Sequence, residues 1–152
     1  MEKILISACF LGENVRYNGK IKTLFHPIIE QWKKQNRLIA VCPETVGGLA
    51  TPRPPAEQQA NGLIITTTAQ NVTSAFHLGA QHALSLCKQH QIKYALLKES
   101  SPSCGSSFIY DGSFSNKKIN GQGVTTKLLR EHNIIVFSEH NIEQLASLII
   151  AP

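Results

Sequence analysis

The feature of this chain that most limits its fold is a regular alternation of short apolar runs with amphipathic stretches. The apolar runs are rich in β-branched residues, which is typical of strands buried inside a sheet. The stretches between them repeat apolar residues at helical spacing. The predicted strands are residues 4–6, 37–41, 94–97 and 134–137, and the predicted helices are residues 26–35, 73–90, 124–132 and 141–150. This order predicts one α/β domain over residues 1–152, Rossmann-like, with a mostly parallel central sheet flanked by helices in three layers.

Two segments do not fit this alternation. Residues 43–62 are rich in proline and glycine and show neither a helical nor a strand period, and a structureless run of this length is usually functional. Residues 112–123 form a polar, glycine-bearing, basic segment that reads as a loop. Residues 63–68 have the composition of a peripheral strand, and residues 107–110 predict a short strand that ends in an Asp111–Gly112 turn.

The composition indicates a globular protein without a membrane span or an export signal. Of its 152 residues, 42% are apolar and 16% are charged, and no apolar run is long enough to cross a bilayer. The apolar segment at residues 4–9 is too short for a signal peptide and has no convincing cleavage site after it. We therefore expect a cytoplasmic protein.

The formal net charge of +5 suits an anionic partner. The pairs Lys33–Lys34 and Lys117–Lys118, however, lie far apart in sequence, as do Lys127 and Arg130. Nucleic-acid binding proteins concentrate such charge in one patch or stripe. A nucleic-acid partner is therefore not expected.

Three of the four cysteines follow predicted strands. Cys9, Cys42 and Cys104 each come after an apolar run, whereas Cys87 continues the inward stripe of the helix at 73–90. Parallel strands lie about 4.8 Å apart, and open α/β sheets bind ligands at the carboxyl ends of their strands. Three thiols can therefore converge there, and Cys87 is assigned to the core.

Two inorganic groups suit three converging thiolates. Zinc binds three protein ligands and a water at catalytic sites, and a 4Fe-4S cluster with three cysteines keeps one iron open. Thiolate ligands suit both, so the pattern alone leaves the choice open. Glu44 lies two residues after Cys42 and Ser101 three before Cys104, and a carboxylate beside a metal is a natural general base. Either residue has an ordinary alternative, a surface glutamate or a turn serine.

The stretches around these residues also carry a family resemblance. They are Ser7-Ala8-Cys9-Phe10-Leu11-Gly12, residues 16–19, residues 42–53 beginning Cys42-Pro43-Glu44-Thr45, Glu57, residues 71–73, Lys98-Glu99-Ser100-Ser101-Pro102-Ser103-Cys104-Gly105, residues 109–112 and residues 121–124. Together they resemble the single-domain thiouracil desulfidases, long carried as a domain of unknown function. Asn18 and Asn71 stand where aspartate is usual in that family, and Ala50 where proline is frequent.

The resemblance implies a 4Fe-4S cluster held by Cys9, Cys42 and Cys104, with Glu44 and Ser101 in catalysis. It also implies that thiolated uracil, as 4-thiouracil or its nucleotide 4-thio-UMP, loses sulfide without net redox change. The open iron would be a soft Lewis acid matched to a thiocarbonyl sulfur. Glu44 would deprotonate the attacking water, and Ser101 would relay a proton or hold the ring.

Residues that would orient the substrate are more weakly marked. The expected contacts to ring or phosphate are Arg16, Arg53, Glu57, Lys98 and Ser103, with Lys117 and Lys118 as further cations. The Gly121-Gln122-Gly123 turn before a helix suits either anion binding through backbone N–H groups or an ordinary helix entry, since it is not the full GxGxxG pattern. The six histidines read as structural or solvated.

Two other functions use the same features. A zinc-dependent nucleobase hydrolase would activate water at the same three thiolates. A module that binds thiolated RNA without turnover is the third possibility, against which stands the lack of clustered lysines and aromatic residues.

Overall fold

The central sheet of the protein is parallel throughout. In the computed structural model, which describes residues 1–19 and 23–149, its strands are β1 (Ile4–Ser7), β2 (Leu38–Val41), β5 (Tyr94–Leu96) and β8 (Ile135–Phe137). Their order across the sheet is β2-β1-β5-β8. Leu5 lies between Ile39 and Ala95, and Ala95 pairs in turn with Val136. The predicted parallel sheet is therefore confirmed.

The described residues contain five α-helices. They are α1 (Pro27–Lys34), α2 (Pro43–Val46), α3 (Thr73–His90), α4 (Val124–Glu131) and α5 (Ile142–Leu148). Leu5 packs with Leu84 of α3 and Leu129 of α4, whereas Ile4 and Ile6, which point to the opposite face of β1, pack with Trp32 of α1 and Leu145 of α5. Helices therefore cover both faces, which confirms the three layers. The last residue of the predicted helix at 141–150 lies outside the described residues.

Two small antiparallel sheets lie beside the main one. β3 (Ala56–Gln58) pairs with β4 (Ile64–Thr66), and β6 (Phe108–Tyr110) pairs with β7 (Lys118–Asn120). The strands predicted near residues 63–68 and 107–110 are thus confirmed. The predictions that residues 43–62 and 112–123 lack regular structure are wrong. The first segment contains α2 and β3, and the second contains β7. All three elements are three or four residues long and mostly polar, so they carry no period to detect.

Within residues 1–19 and 23–149, no helix combines the length and the apolar character needed to cross a bilayer.

Candidate metal centre and active site

The carboxyl ends of β1, β2 and β5 open into one cavity of about 810 Å³. Its wall includes all three cysteines assigned to chemistry, Cys9, Cys42 and Cys104, together with Glu44 and Ser101. Ligands bind at this edge of open α/β sheets. The structure thus brings together the five residues predicted to hold a cluster and to act in catalysis, and it places Cys87 on the buried face of α3, in the apolar core.

The three thiols reach the cavity from different local structures. Cys9 is buried in a single 3-10 turn, Ala8–Leu11, that follows β1. Cys42 is the N-cap of α2, and the hydroxyl of Thr45 donates a hydrogen bond to its Sγ over 3.2 Å. Cys104 does not stand directly at a strand end as predicted, because the loop after β5 runs from Leu97 to Ser107 before the chain enters β6. The loop folds back so that its buried thiol still meets the cavity.

Ser101 shapes the turn that presents Cys104. Its Oγ accepts hydrogen bonds from the backbone N–H groups of Ser103, at 3.2 Å, and Cys104, at 2.6 Å. A hydroxyl has two acceptor positions and one donor, so this geometry leaves its proton available for a further partner. Ser101 is therefore oriented as a hydrogen-bond donor toward the cavity that it lines.

The N-terminus of α4 holds the same loop in place. The N–H of Val124 donates to the carbonyl of Pro102 over 3.0 Å, and that of Thr125 to the carbonyl of Ser103 over 2.8 Å. Gly123 permits this approach, since a Cβ there would lie 2.3 Å from the carbonyl carbon of Ser103. These N–H groups bind the protein's own carbonyls rather than an anion. The N–H groups of Gly121 and Gly123 likewise donate to the carbonyls of Ser107, at 3.1 Å, and Gly105, at 2.8 Å, so this segment forms the ordinary helix-entry turn rather than an anion site.

Glu99 anchors the base of the Cys104 loop. Its buried carboxylate accepts hydrogen bonds from the N–H groups of Ser100, Ser106, Ser107 and Phe108 and from the Ser106 hydroxyl. Burial alone would raise the pKa of Glu99, but these hydrogen bonds outweigh it and lower the pKa from 4.5 to about 2. In the sequence, Glu99 is one of several polar residues between Lys98 and Ser103, and no pattern there indicates this structural role.

Replacing Glu99 with glutamine should destabilise the cluster-free protein by about 3 kcal/mol at pH 7, because an amide cannot replace an anion among converging donors. The folded-state pKa lies below the unfolded one, so this stabilisation is complete above about pH 4.5 and is lost as the pH falls toward 2. Chemical denaturation of both proteins at several pH values measures it. A difference that stays constant down to pH 2 would show that the charge of Glu99 is not what stabilises the loop.

The thiols themselves carry shifted pKa values. Burial, and to a smaller extent the neighbouring Cys42, raise the pKa of Cys9 to about 11 against the opposing effect of Arg16 and Lys98. Burial likewise raises the pKa of Cys104 to about 12. Both are therefore protonated thiols near neutral pH, and any metal group that they bind must displace their protons.

The arrangement of the donors bears on the choice between a zinc ion and a 4Fe-4S cluster, which the sequence left open. Among the described residues, no three His, Cys, Asp or Glu side chains are gathered closely enough to hold a single ion. A zinc ion at 2.3 Å from each thiolate would need sulfur atoms within about 4 Å of one another. A cluster takes one thiolate on each of several irons and suits a wider spacing. Three thiols at one cavity are the donor set that a cluster with one open iron requires.

Glu44 lies in the first turn of α2, two residues after Cys42, and forms an ion pair with Arg53. The position of α2 depends on Gly79 of α3, since a Cβ there would lie 1.9 Å from the carbonyl oxygen of Pro43. A close approach of the two backbones therefore fixes where Cys42 and Glu44 enter the cavity.

The residues predicted to contact substrate differ in whether their side chains already bind other parts of the protein. Arg16 and Lys98 line the cavity; the Nζ of Lys98 lies 2.7 Å from a carboxylate oxygen of Glu139, whereas the Arg16 guanidinium has no hydrogen-bond partner among the described residues. Arg53 and Glu57 also line it. The Oε1 of Glu57, however, accepts the N–H groups of Gly112, at 3.0 Å, and Phe114, at 3.2 Å, and so ties down the turn after β6.

Ser103 lies behind the wall of the cavity rather than in it. Its hydroxyl is buried and bonded to that of Thr125 over 2.8 Å, and the residue is absent from the lining. This placement supports a structural contact with α4, not a contact with substrate.

The hairpin of β6 and β7 forms one wall of the cavity. Of its lining residues, only Lys118 was predicted from the sequence to contact substrate. The lining residues there are Tyr110, Phe114, Asn116 and Lys118, and the Nζ of Lys118 lies 5.6 Å from the centre of the Tyr110 ring. Tyr110 belongs to a stretch that carries the family resemblance, and this was the available signal. His140, one of the histidines read as solvated, is exposed at the cavity edge.

Comparisons with known proteins agree on one family. A family model described as 2-thiouracil desulfurase matches residues 4–141. An uncharacterized protein of Bacillus subtilis (strain 168), YbbK, is 39% identical over 154 residues, which cover 93% of this chain and 99% of that protein. A solved structure described as the 4Fe-4S-dependent thiouracil desulfidase TudS is 47% identical, with a TM-score of 0.95 and 98% of each chain covered.

Proposed function

Because this chain belongs to the 2-thiouracil desulfurase family, we propose that it is an iron-sulfur enzyme that removes sulfur from thiolated uracil. The observation that carries the proposal is the meeting of three buried or half-buried thiols and the Glu44 carboxylate at a single cavity beyond the sheet. We assign the cluster to Cys9, Cys42 and Cys104. When bound, a cluster with three protein ligands supplies an open iron, a soft Lewis acid that suits a thiocarbonyl sulfur.

The reaction exchanges sulfur for oxygen. Water adds its oxygen to the ring carbon, the carbon–sulfur bond breaks, and sulfide leaves with the two protons of the water, so that C=S and H₂O become C=O and H₂S. No atom changes oxidation state overall. The reaction therefore needs no reductant or nicotinamide cofactor.

Two residues of the chain move or hold protons in this scheme. Glu44, which lines the cavity, takes a proton from the attacking water. Ser101 donates its hydroxyl proton to a polar atom of the ring, since the backbone N–H groups of Ser103 and Cys104 already occupy its acceptor positions. Arg16 contacts the substrate as a cation that has no hydrogen-bond partner among the described residues. Lys98 contacts it through the N–H groups of its ammonium that do not bind Glu139.

The substrate is a small molecule, and the cavity has room for more than its base. A cavity of about 810 Å³ lies in the range of sites for drug-sized ligands, and Arg16, Lys98 and Lys118 give it cationic walls. We therefore propose that both free thiouracil and its nucleotide are accepted. We also place the reaction in the cytoplasm, since four unpaired cysteines suit a reducing compartment.

Protein purified without oxygen and loaded with iron and sulfide should be brown and should release sulfide from 4-thiouracil and 4-thio-UMP. Loss of the thiocarbonyl absorbance and a sulfide assay measure this directly. If the active protein were colourless and contained stoichiometric zinc, the proposed cluster would be wrong and the site would be a zinc site. Tight binding of thiolated RNA with unchanged absorbance would overturn the enzymatic function.

A further inference from the structure

We propose that Arg53 is a positioning residue, which fixes one oxygen of the Glu44 carboxylate and so turns the other toward the cavity, and that it does not bind substrate. This inference rests on the proposed function, because the role of Glu44 as a base belongs to that function. It differs from the expectation drawn from the sequence, in which Arg53 was one of several cations that contact the ring or phosphate.

Every N–H of the Arg53 guanidinium is already used inside the protein. An arginine side chain has five such donors. The Nε–H group donates to Oε2 of Glu44 over 3.1 Å, and one N–H of Nη2 donates to the same oxygen. Nη1 donates to the carbonyl of Ala50, at 3.0 Å, and the hydroxyl of Thr51, at 3.1 Å, and Nη2 also donates to the carbonyl of Val15, at 3.0 Å. These five bonds leave no donor for a ligand.

The Glu44 carboxylate is held asymmetrically as a result. Both of its bonds to Arg53 involve Oε2, and no donor among the described residues is bonded to Oε1. The ion pair is mostly buried, with 8% of the Arg53 side chain and 15% of the Glu44 side chain exposed. A charge-assisted pair of this kind restricts rotation of the carboxylate. Oε1 is therefore the oxygen available to take a proton from water in the cavity.

Arg53 also ties this carboxylate to the loop that carries Arg16. Its backbone N–H donates to the carbonyl of Tyr17 over 2.6 Å, while its side chain binds the carbonyl of Val15. These bonds lie on either side of Arg16, whose guanidinium lines the cavity. One residue thus sets the separation of the general base from the cation expected to contact substrate, and productive geometry depends on such positioning.

The test uses the loaded Arg53→Lys variant, because lysine keeps the positive charge but cannot bind several acceptors in fixed directions. We expect wild-type iron and sulfide content, uracil affinity within about twofold by titration calorimetry, and kcat lowered about 10- to 100-fold, since misplacement by about 1 Å can cost about 100-fold. Arg37→Lys is the matched control: Arg37 is buried and hydrogen-bonded but is not part of the cavity wall, and its variant should keep wild-type kcat.

A double-mutant cycle tests whether Arg53 acts through Glu44. Glu44→Asp keeps a base but withdraws it from Arg53, so turnover remains measurable. If Arg53 positions Glu44, the Glu44→Asp/Arg53→Lys protein is about as slow as the slower single variant. Losses that multiply would overturn the proposal, as would uracil affinity that falls at unchanged kcat.

A crystal structure of cluster-free Arg53→Lys provides a readout independent of turnover. The Glu44 carboxylate should leave its wild-type position, whereas an unmoved carboxylate would refute the positioning role. Failure of the wild-type enzyme to desulfurate any thiouracil would instead refute the proposed function, and the crystallographic result would still decide the role of Arg53.

Discussion

Loaded Cys104→Ser protein should bind less than about a tenth of the wild-type iron and lose at least about 100-fold of its sulfide-releasing activity. Even residues that only orient metal ligands contribute about 10- to 100-fold to metal affinity or activity, and Cys104 is assigned as a ligand itself. Serine keeps the size of the side chain, and the hydrogen bonds that shape the loop come from Ser101, α4 and Glu99, so the loop should keep its fold. Iron and sulfide analysis with visible absorption spectroscopy measures the loss.

Cys87→Ser is the matched control for this experiment. Cys87 is also buried, and burial raises the pKa of its thiol to about 11, but it lies on the buried face of α3 and outside the cavity wall. We expect this variant to keep wild-type iron and activity. It should be about 1–3 kcal/mol less stable, because the new hydroxyl lies in an apolar core. Equal loss of iron in both variants would contradict the division of the cysteines into ligands and core.

The parts of the fold that sequence predicted well are those in which one apolar stripe repeats. The helix expected at residues 73–90 is α3, Thr73–His90, and Cys87 lies on its buried face as predicted, together with Phe76 and Gly79. Two short strands escaped prediction because they form only against partners: Glu57 of β3 pairs with Ile65, and Ile119 of β7 pairs with Ile109. Such pairing depends on tertiary structure rather than on a local pattern.

The site divides in the same way. The convergence of Cys9 and Cys42 on one cavity could be predicted, because parallel strands share the edge at which they end. Cys104 reaches the same cavity for another reason, since the loop after β5 folds back toward it. The roles of Arg53 and Glu57 could not. A charged residue near a cavity has the same pattern in sequence whether it binds a ligand or a backbone amide. The amide that Glu57 binds belongs to Gly112, 55 positions further along the chain, so only the folded structure separates these roles.

Glu44→Gln should keep the iron, the sulfide and the uracil affinity of the wild-type protein while kcat falls about 10²- to 10⁴-fold, the usual contribution of a general acid–base residue. The size of this effect follows from the way in which Arg53 holds the side chain. The guanidinium can only donate hydrogen bonds, so it binds the amide oxygen of a glutamine at this position. The amide nitrogen then lies where Oε1 lies in the wild type. The substitution therefore replaces the one oxygen available to the water with a group that cannot take a proton, and it leaves the ion-pair position filled.

Single-turnover sulfide release by the loaded variant measures the effect, with the iron content of the same sample as its reference. Glu57→Gln is the control, because it changes another carboxylate of the cavity wall whose Oε1 is bonded to backbone N–H groups. Its kcat should fall far less than that of Glu44→Gln. Turnover of Glu44→Gln within about twofold of wild type would remove Glu44 from the mechanism and assign the proton of the attacking water to another acceptor.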